Sequence, residues 1–271
     1  RLSLYVHVPF CDRLCWFCAC HTKQTRRYEP VAAFLRSLHA EIRLAGEKVG
    51  NRAQVAALHF GGGSPTLLTP ADLLALKRWL AERFAIAADA EISIEIDPND
   101  LDDGRYDAMA EFGLTRASIG VQDFDPKVQQ AINRIQTYEQ TAAVVEAMRR
   151  RGVRSVNLDL LYGLPHQTEE GLARTIAMAL SLAPDRAALF GYAHVPWMKP
   201  HQKMIHDAAL PGRHARFAQS QLATHLLAAA GMVPIGFDHF ALPGDSLARA
   251  AAEGRLRRNF PGYTDDAAAA L

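Results

Sequence analysis

The four cysteines of this 271-residue chain all lie within ten residues of one another. They are Cys11, Cys15, Cys18 and Cys20, and the first three follow the spacing C-x3-C-x2-C. A short loop with this spacing can direct three thiolates towards one metal centre. An iron–sulfur cluster held by three cysteines leaves one iron open, and that iron can bind a small molecule and pass it an electron.

A structural zinc site and a disulfide framework are the alternatives for such a group of cysteines. Zinc sites bring their ligands in two separated pairs, and this sequence has no second pair. Disulfide frameworks spread cysteines over a small secreted domain, whereas this chain is long enough to bury its own core. The spacing therefore favours an iron–sulfur cluster over a zinc-stabilised interaction module.

Cys20 lies outside the C-x3-C-x2-C spacing, and three roles are open for it. It is a fourth cluster ligand, an inert small side chain, or a residue of catalysis or family specificity. We favour the third role, although the sequence does not decide among them.

Charge and hydropathy argue against several classes of partner. Thirty basic and twenty-nine acidic residues leave a net charge of +1, which gives no overall field to attract nucleic acid or an anionic membrane. No apolar run approaches the ~20 residues of a membrane span, and no signal peptide precedes the first strand. We therefore expect a cytoplasmic protein. The first residue is Arg1 and the chain ends in an alanine run, so we expect it to be truncated at both ends.

Short β-branched runs alternate with longer amphipathic stretches, which predicts repeated βα units around a parallel sheet. Length favours one domain. The predicted strands are Leu2–Val8, Val55–Phe60, Glu91–Asp97, Arg116–Val121, Ser155–Leu161, Ala187–Ala193 and Pro234–Phe240. Helices are predicted near 31–48, 70–84, 103–112, 138–151, 168–182 and 212–230.

The cysteine loop after the first strand resembles that of the radical S-adenosylmethionine (SAM) superfamily. Further motifs along the whole chain resemble one family within it, the oxygen-independent coproporphyrinogen III oxidases. Those motifs are Tyr5-Val-His-Val-Pro-Phe-Cys11, Trp16-Phe17, Cys20, Gly61-Gly-Gly-Ser-Pro-Thr66, Glu91-Ile-Ser-Ile-Glu-Ile-Asp-Pro98, Gly120-Val-Gln-Asp-Phe124, Asn133-Arg134, Asn157-Leu-Asp-Leu-Leu-Tyr-Gly-Leu-Pro165, Gly191-Tyr-Ala-His194, Asp238-His-Phe-Ala241 and Arg258-Asn-Phe-Pro-Gly-Tyr-Thr264.

This resemblance implies an α/β fold, a partial, three-quarter (β/α)6 barrel that is open on one side. The site is expected at the carboxyl ends of the strands. Residues 1–271 would form one radical SAM catalytic domain, and the helical C-terminal region of the family would be absent.

The resemblance also implies a set of ligands. Cys11, Cys15 and Cys18 would hold a [4Fe–4S] cluster, and two SAM molecules would bind beside it. Tyr5 and Cys20 are the candidate catalytic residues. The residues expected to contact SAM are Tyr5, Phe17, Gly62, Gly63, Ser64, Glu95, Gln122, Arg134, Asp159 and Ala193.

Each of these residues also has an ordinary structural interpretation. The glycine run could be a tight turn, although its position after a strand lets backbone groups approach a ligand closely. Glu95 could belong to a structural salt bridge. Gln122 could be a capping side chain, Arg134 a solvated charge and Asp159 a turn former. Because these residues match the family motifs in both order and spacing, we favour ligand binding over the structural interpretations.

The implied reaction is the oxidative decarboxylation of two propionate side chains of coproporphyrinogen III to vinyls, which gives protoporphyrinogen IX in anaerobic haem biosynthesis. The implied partners are this substrate and an electron donor such as a flavodoxin or ferredoxin, and we expect a monomer. A haem chaperone of the same superfamily, without decarboxylase activity, is the alternative. Cys20 and the stretch 259–264 favour the oxidase.

Overall fold

The computed structural model describes residues 1–50, 54–99, 101–260 and 262–268. Its centre is an eight-stranded sheet. The strands are β1 (Leu2–Val8), β2 (Gln54–Gly62), β3 (Ala85–Ile96), β4 (Arg116–Gln122), β5 (Ser155–Tyr162), β6 (Arg186–Gly191), β7 (Val233–Ile235) and β8 (His239–Ala241).

The first six strands are parallel and lie in the order of the chain, so each strand pairs with the next one. Strand β8 then pairs antiparallel with both β6 and β7. Among the described residues no strand pairing joins β1 to β7, so the sheet is open on that side. The expectation of an α/β fold with six parallel strands is confirmed.

Helices connect the strands, and six of them were predicted to within three residues. They are α1 (Glu29–Val49), α2 (Pro70–Ala81), α3 (Asp103–Phe112), α5 (Tyr138–Arg150), α6 (Glu169–Ser181) and α7 (Arg213–Ala229). Two more helices, α4 (Pro126–Ala131) and α8 (Ser246–Ala252), were not predicted, since fewer than two turns give no readable 3.6-residue period. No helix in the described ranges is long and apolar enough to cross a membrane.

The single strand predicted over 234–240 is wrong. The chain forms a hairpin there, with β7 and β8 on either side of a turn at Gly236, which has a φ of 61°. A residue with a side chain rarely adopts such a φ, so this glycine marks a reversal rather than strand interior. The strand predicted over 187–193 also ends early, at Gly191.

The sheet has an apolar outer face and a polar inner face. Strand β3 shows this alternation: Ile92, Ile94 and Ile96 are buried in the core formed with the helices, whereas Ser93 and Glu95 point to the other side. Because side chains alternate along a strand, the sequence predicts both faces at once. The inner face thus presents polar groups to the interior of the partial barrel.

A buried carboxylate, Asp123, fixes the turn that follows β4. It is 0% exposed. It accepts hydrogen bonds from Thr175 Oγ1 (2.8 Å), from Gln167 Nε2 (2.6 Å) and from the backbone N–H of Asp125 (2.7 Å). These bonds tie the turn to α6 and hold α4 in place.

We predict that Asp123→Ala lowers the free energy of unfolding by about 3 kcal/mol, because buried donors lose a charged acceptor. Anaerobic urea denaturation of the cluster-free protein measures this change. Asp103→Ala is the control: its side chain is 88% exposed and its ion pair should contribute no more than about 1 kcal/mol. Equal, small changes in the two variants would contradict the role of Asp123.

Candidate functional site

A cavity lies at the carboxyl ends of β2 to β5, beneath the cysteine loop (residues 11–20). It brings together residues that are far apart in the sequence. All four cysteines line it, together with Phe17, Gly62, Gly63, Ser64, Glu95, Asp97, Gln122, Arg134 and Asp159. Apart from Tyr5 and Ala193, every residue expected to bind SAM therefore contributes to one cavity.

The cysteine loop is fastened to the rest of the fold from two sides. The backbone N–H of Trp16 donates to the carbonyl of Ile132 (2.9 Å), just after α4. Gln202 Nε2 donates to the carbonyl of Phe17 (2.9 Å) from a short 3-10 helix, Pro200–Met204. Trp16 and Phe17 also pack on a small apolar cluster that includes Ile132. The loop therefore has a defined position over the strand ends.

The thiols differ in how easily they ionise. Burial raises the pKa of Cys11 to about 11, and burial also raises the pKa of Cys15. A hydrogen bond with the Cys20 side chain lowers the pKa of Cys18 to about 7, whereas that bond raises the pKa of Cys20. Of the four cysteines, Cys18 is the one whose pKa is lowered, which favours its thiolate form.

The donor set fits an iron–sulfur cluster. Cys11, Cys15 and Cys18 all line one cavity, and thiolates are the ligands that such clusters take in proteins. In the described part of the chain, no three His, Cys, Asp or Glu side chains are grouped to hold a single metal ion. The backbone N–H of Cys20 lies 3.4 Å from Cys18 Sγ, and its carbonyl accepts a hydrogen bond from Lys199 Nζ (3.1 Å).

Arg134 connects the cysteine loop to the sheet. Its side chain is buried, and Nη1 lies 3.1 Å from Asp97 Oδ2 and 3.6 Å from Cys15 Sγ. Nη2 donates to the carbonyl of Gly120 (2.8 Å). Burial tends to raise the pKa of Asp97, but the charge of Arg134 and the hydrogen bonds from Asn99 together hold that pKa below its usual value. The alternative interpretation of Arg134 as a solvated charge is therefore wrong.

Glu95 lies on the inner face of β3 and points into the cavity. Its Oε2 accepts a hydrogen bond from the backbone N–H of Gly62 (3.0 Å), and its Oε1 lies 3.4 Å from His59 Nε2. With a side chain 41% exposed, Glu95 still has acceptor positions facing the cavity. Those positions suit a cationic or N–H-bearing ligand group.

Asp159 lies deeper, on the inner face of β5. It accepts hydrogen bonds from Asn157 Nδ2 (2.7 Å) and from Ser118 Oγ (3.2 Å). Burial, with a further contribution from the charge of Glu95, raises the pKa of Asp159 to about 7. Gln122 ends β4 with a φ of 68°, a conformation rare for a residue with a side chain. Such outliers collect at ligand sites.

Gly63 and Ser64 follow β2 and contact the residues on either side of the cysteine loop. A Cβ on Gly63 would lie 2.4 Å from the Phe10 carbonyl oxygen and 2.6 Å from Thr22 Oγ1, so only glycine fits there. The backbone N–H of Ser64 donates to the same carbonyl (2.7 Å). The glycine run thus packs the base of the loop against the sheet. The sequence alone did not distinguish such a packing role from ligand binding.

Tyr5 and Ala193 lie outside the group that lines the cavity. Tyr5 stacks on His59 with ring centroids 5.7 Å apart, and its hydroxyl hydrogen-bonds His7 Nδ1 (3.0 Å). Burial raises the pKa of Tyr5 to about 12. Ala193 is exposed after β6, and its carbonyl accepts from Gln202 Nε2 (3.2 Å).

Sequence reasoning missed His59 as a functional candidate, although it lies between Tyr5 and Glu95. It also left Asp97 without a role. The available signal was alternation: His59 shares the inner face of β2 with Gly61, and Asp97 follows Glu95 by two residues. A single histidine in a strand carried too little information to assign its partner.

Comparison with known proteins agrees with this geometry. The profile of the Radical SAM superfamily matches residues 5–179. The oxygen-independent coproporphyrinogen III oxidase of Paracoccus denitrificans is 51% identical over 271 residues, which cover 100% of this chain and 60% of that protein. Its counterpart in Bradyrhizobium diazoefficiens is 51% identical over 264 residues, covering 97% of this chain and 59% of that one.

A solved structure is also similar over the full chain. The coproporphyrinogen III oxidase of Escherichia coli, described as a radical SAM enzyme, superposes with a TM-score of 0.96 at 42% identity. The match covers 100% of this chain and 62% of that structure. The chain thus spans about 60% of the length of the relatives it matches.

We predict that Cys11→Ser, Cys15→Ser or Cys18→Ser each abolishes the [4Fe–4S] absorbance after anaerobic reconstitution, because a hydroxyl is a poor substitute for thiolate on iron. Cys20→Ser is the matched control and should keep its cluster. Iron and sulfide analysis decides. Normal cluster content in Cys15→Ser, or a lost cluster in Cys20→Ser, would contradict the ligand assignment.

We also predict a pH dependence from Asp159. Its raised pKa means that the folded protein keeps a proton that the unfolded chain releases near pH 4. The free energy of unfolding therefore falls as pH rises from about 4 to about 7. Above pH 7, Asp159 causes no further loss.

The Asp159→Asn variant should not show this pH-dependent loss of stability, because an asparagine side chain does not ionise. The variant should gain on the order of 2–4 kcal/mol relative to the wild type between pH 4 and pH 7.5. Urea denaturation of both cluster-free proteins across this range measures the difference. Parallel pH profiles would show that Asp159 ionises normally.

Proposed function

The chain belongs to the radical SAM superfamily, and from this premise we propose that it carries the catalytic domain of an oxygen-independent coproporphyrinogen III oxidase. The observation that carries the proposal is the cavity itself. It unites three thiols, a carboxylate at the strand edge, a buried arginine and a buried aspartate, in a chain about half identical to such oxidases along its whole length.

Cys11, Cys15 and Cys18 would hold the cluster, and the iron they leave open would face the cavity. When bound, the cluster and SAM together supply a one-electron reductive cleavage whose product takes a hydrogen atom from the substrate. Glu95 would accept a hydrogen bond from the SAM amino group, beside the backbone of Gly62, Gly63 and Ser64. Phe17 would cover the ligand and exclude water.

A second SAM would lie deeper in the cavity. Its proposed contacts are Gly63, Ser64, Gln122, Arg134, Asp159 and Ala193. Asp159 suits the ribose hydroxyls because a carboxyl group accepts hydrogen bonds from them. Both terminal nitrogens of Arg134 already bond within the protein. Its Nε, buried and without a partner among the described residues, is a donor that a ligand could use.

Two cofactor molecules suit a reaction that occurs twice. Conversion of two propionates to vinyls removes two hydrogen atoms, releases two molecules of carbon dioxide and gives up two electrons, so each event needs one hydrogen-abstracting equivalent and a one-electron acceptor. Tyr5 and Cys20 are the proposed catalytic residues. Tyr5 supports this proposal through its stacking on His59, one contact away from Glu95, and Cys20 through its place on the cavity wall.

The partners belong to the same proposal. Reduction of the cluster would need a one-electron donor such as a flavodoxin or ferredoxin. The protein would act as a monomer in the cytoplasm, on coproporphyrinogen III, without nucleic acid or membrane partners.

We predict that the reconstituted full-length holoprotein converts coproporphyrinogen III to protoporphyrinogen IX under strict anaerobiosis, with SAM and a one-electron reductant. Wild-type protein should bind two SAM per chain by anaerobic calorimetry. Asp159→Ala should keep the cluster and one SAM, and it should lose most of the conversion, because the second ribose loses its acceptor.

Two outcomes would contradict this proposal. Haem binding without any conversion would indicate the related haem chaperone instead. Binding of a single SAM together with full decarboxylation of both propionates would remove the second site, and Asp159 would then serve only to fill the barrel interior.

A further inference from the structure

His59, on the inner face of β2, lies at the centre of a chain of contacts that leads to the cavity. Its Nδ1 lies 2.7 Å from Ser93 Oγ, and its Nε2 lies 3.4 Å from Glu95 Oε1. Both partners belong to β3, two residues apart on the same face. The imidazole therefore bridges two strands behind the carboxylate.

The partners determine which ring nitrogen carries hydrogen. A carboxylate only accepts hydrogen bonds, so the contact with Glu95 requires a hydrogen on Nε2 of His59. In the neutral ring Nδ1 is then an acceptor, and the Ser93 hydroxyl can donate to it. Ser93, His59 and Glu95 thus form a polarised sequence in which each donor points towards the carboxylate.

Gly61 leaves the space for this contact. A Cβ on Gly61 would lie 2.7 Å from Glu95 Oε1 and 3.1 Å from His59 Nε2. No such atom fits without displacing the carboxylate or the ring. The first glycine of the run therefore has a defined function, separate from that of Gly63, which packs against the cysteine loop.

The plane of the His59 ring is also fixed. It lies nearly parallel to the ring of Tyr5, with an interplanar angle of 13° and a centroid distance of 5.7 Å. The Glu95 carboxylate receives its second hydrogen bond from the backbone N–H of Gly62 (3.0 Å). His59 donates to one oxygen of Glu95 and Gly62 donates to the other. These two donors therefore fix the orientation of the carboxylate towards the cavity.

We propose that His59 is a positioning residue for SAM: it orients Glu95, through its Nε2–H, so that the carboxylate meets the amino group of SAM. This inference rests on the proposed function, which assigns Glu95 to that amino group. His59 does not itself line the cavity, and Glu95 is the cavity-lining side chain with which it makes a hydrogen bond. Its effect on the ligand passes through the carboxylate.

The test is a matched pair of variants in the reconstituted holoprotein. In His59→Gln the side-chain amide can place an N–H near the position of Nε2, whereas in His59→Asn the shorter amide reaches only the position of Nδ1. SAM affinity is measured by anaerobic calorimetry, and cluster content by iron and sulfide analysis. His239→Asn is the control, because His239 lies on β8 and bonds Asp238 instead.

We expect His59→Asn to weaken SAM binding about tenfold, as for a lost hydrogen bond to a charged group, with the cluster retained. His59→Gln should stay within about threefold of wild type, and His239→Asn should bind normally. Gly61→Ala probes the same contact with His59 intact and should also weaken binding about tenfold, because its new methyl group displaces the carboxylate.

Several results would overturn the proposal. They are wild-type affinity in His59→Asn, or equal losses in His59→Asn and His59→Gln, which would mark a packing role. If His59→Asn does not retain its cluster, Gly61→Ala decides alone, and normal SAM affinity there refutes the proposal.

Glu95→Gln separates this inference from the proposed function. Unchanged SAM affinity in that variant would remove the role of Glu95 and, with it, that of His59. Weakened affinity in Glu95→Gln combined with normal affinity in both His59→Asn and Gly61→Ala would refute only the positioning role.

Discussion

A buried guanidinium constrains this site more than any other single group. A charge taken out of water is costly unless its hydrogens find acceptors, and Arg134 is only 6% exposed. Its acceptors come from the end of β3, from the backbone of β4 and from the cysteine loop. Satisfying this one side chain therefore requires the loop to lie on the strand ends, where a cluster held by its thiols would be within reach of a ligand in the barrel.

The rest of the site follows from the alternation of side chains in parallel strands. Each strand gives its apolar residues to the core beneath the helices and its polar residues to the interior of the partial barrel. Because the strands run parallel and in chain order, the polar residues at their carboxyl ends meet at one edge. Glu95, Gln122 and Asp159 come from three neighbouring strands and line one cavity for this reason. Glycines at the end of β2 then allow the loop and the carboxylate to approach closely.

Much of this arrangement could be predicted from the sequence. The C-x3-C-x2-C spacing brought Cys11, Cys15 and Cys18 into one candidate site, and the structure places all three on one cavity. The alternation in Ile92–Asp97 placed Glu95 on the inner face. Contacts that depend on side-chain reach could not be predicted. Nothing in the sequence shows that Arg134 folds back to Asp97, or that His59 reaches across to the neighbouring strand. The hairpin at Gly236 was missed because three-residue strands carry no periodic signal.

The central proposal is that Cys11, Cys15 and Cys18 would hold a cluster with one iron open to a ligand, and that SAM would bind there through its amino-acid end, beside Glu95. Pulsed electron paramagnetic resonance on the reduced holoprotein, with SAM labelled with nitrogen-15 in its amino group, tests this most directly. The account predicts a hyperfine coupling between the cluster and that nitrogen, since the amine would lie on or next to the open iron. A cluster signal without any coupling to the labelled amine, at saturating SAM, would contradict the account.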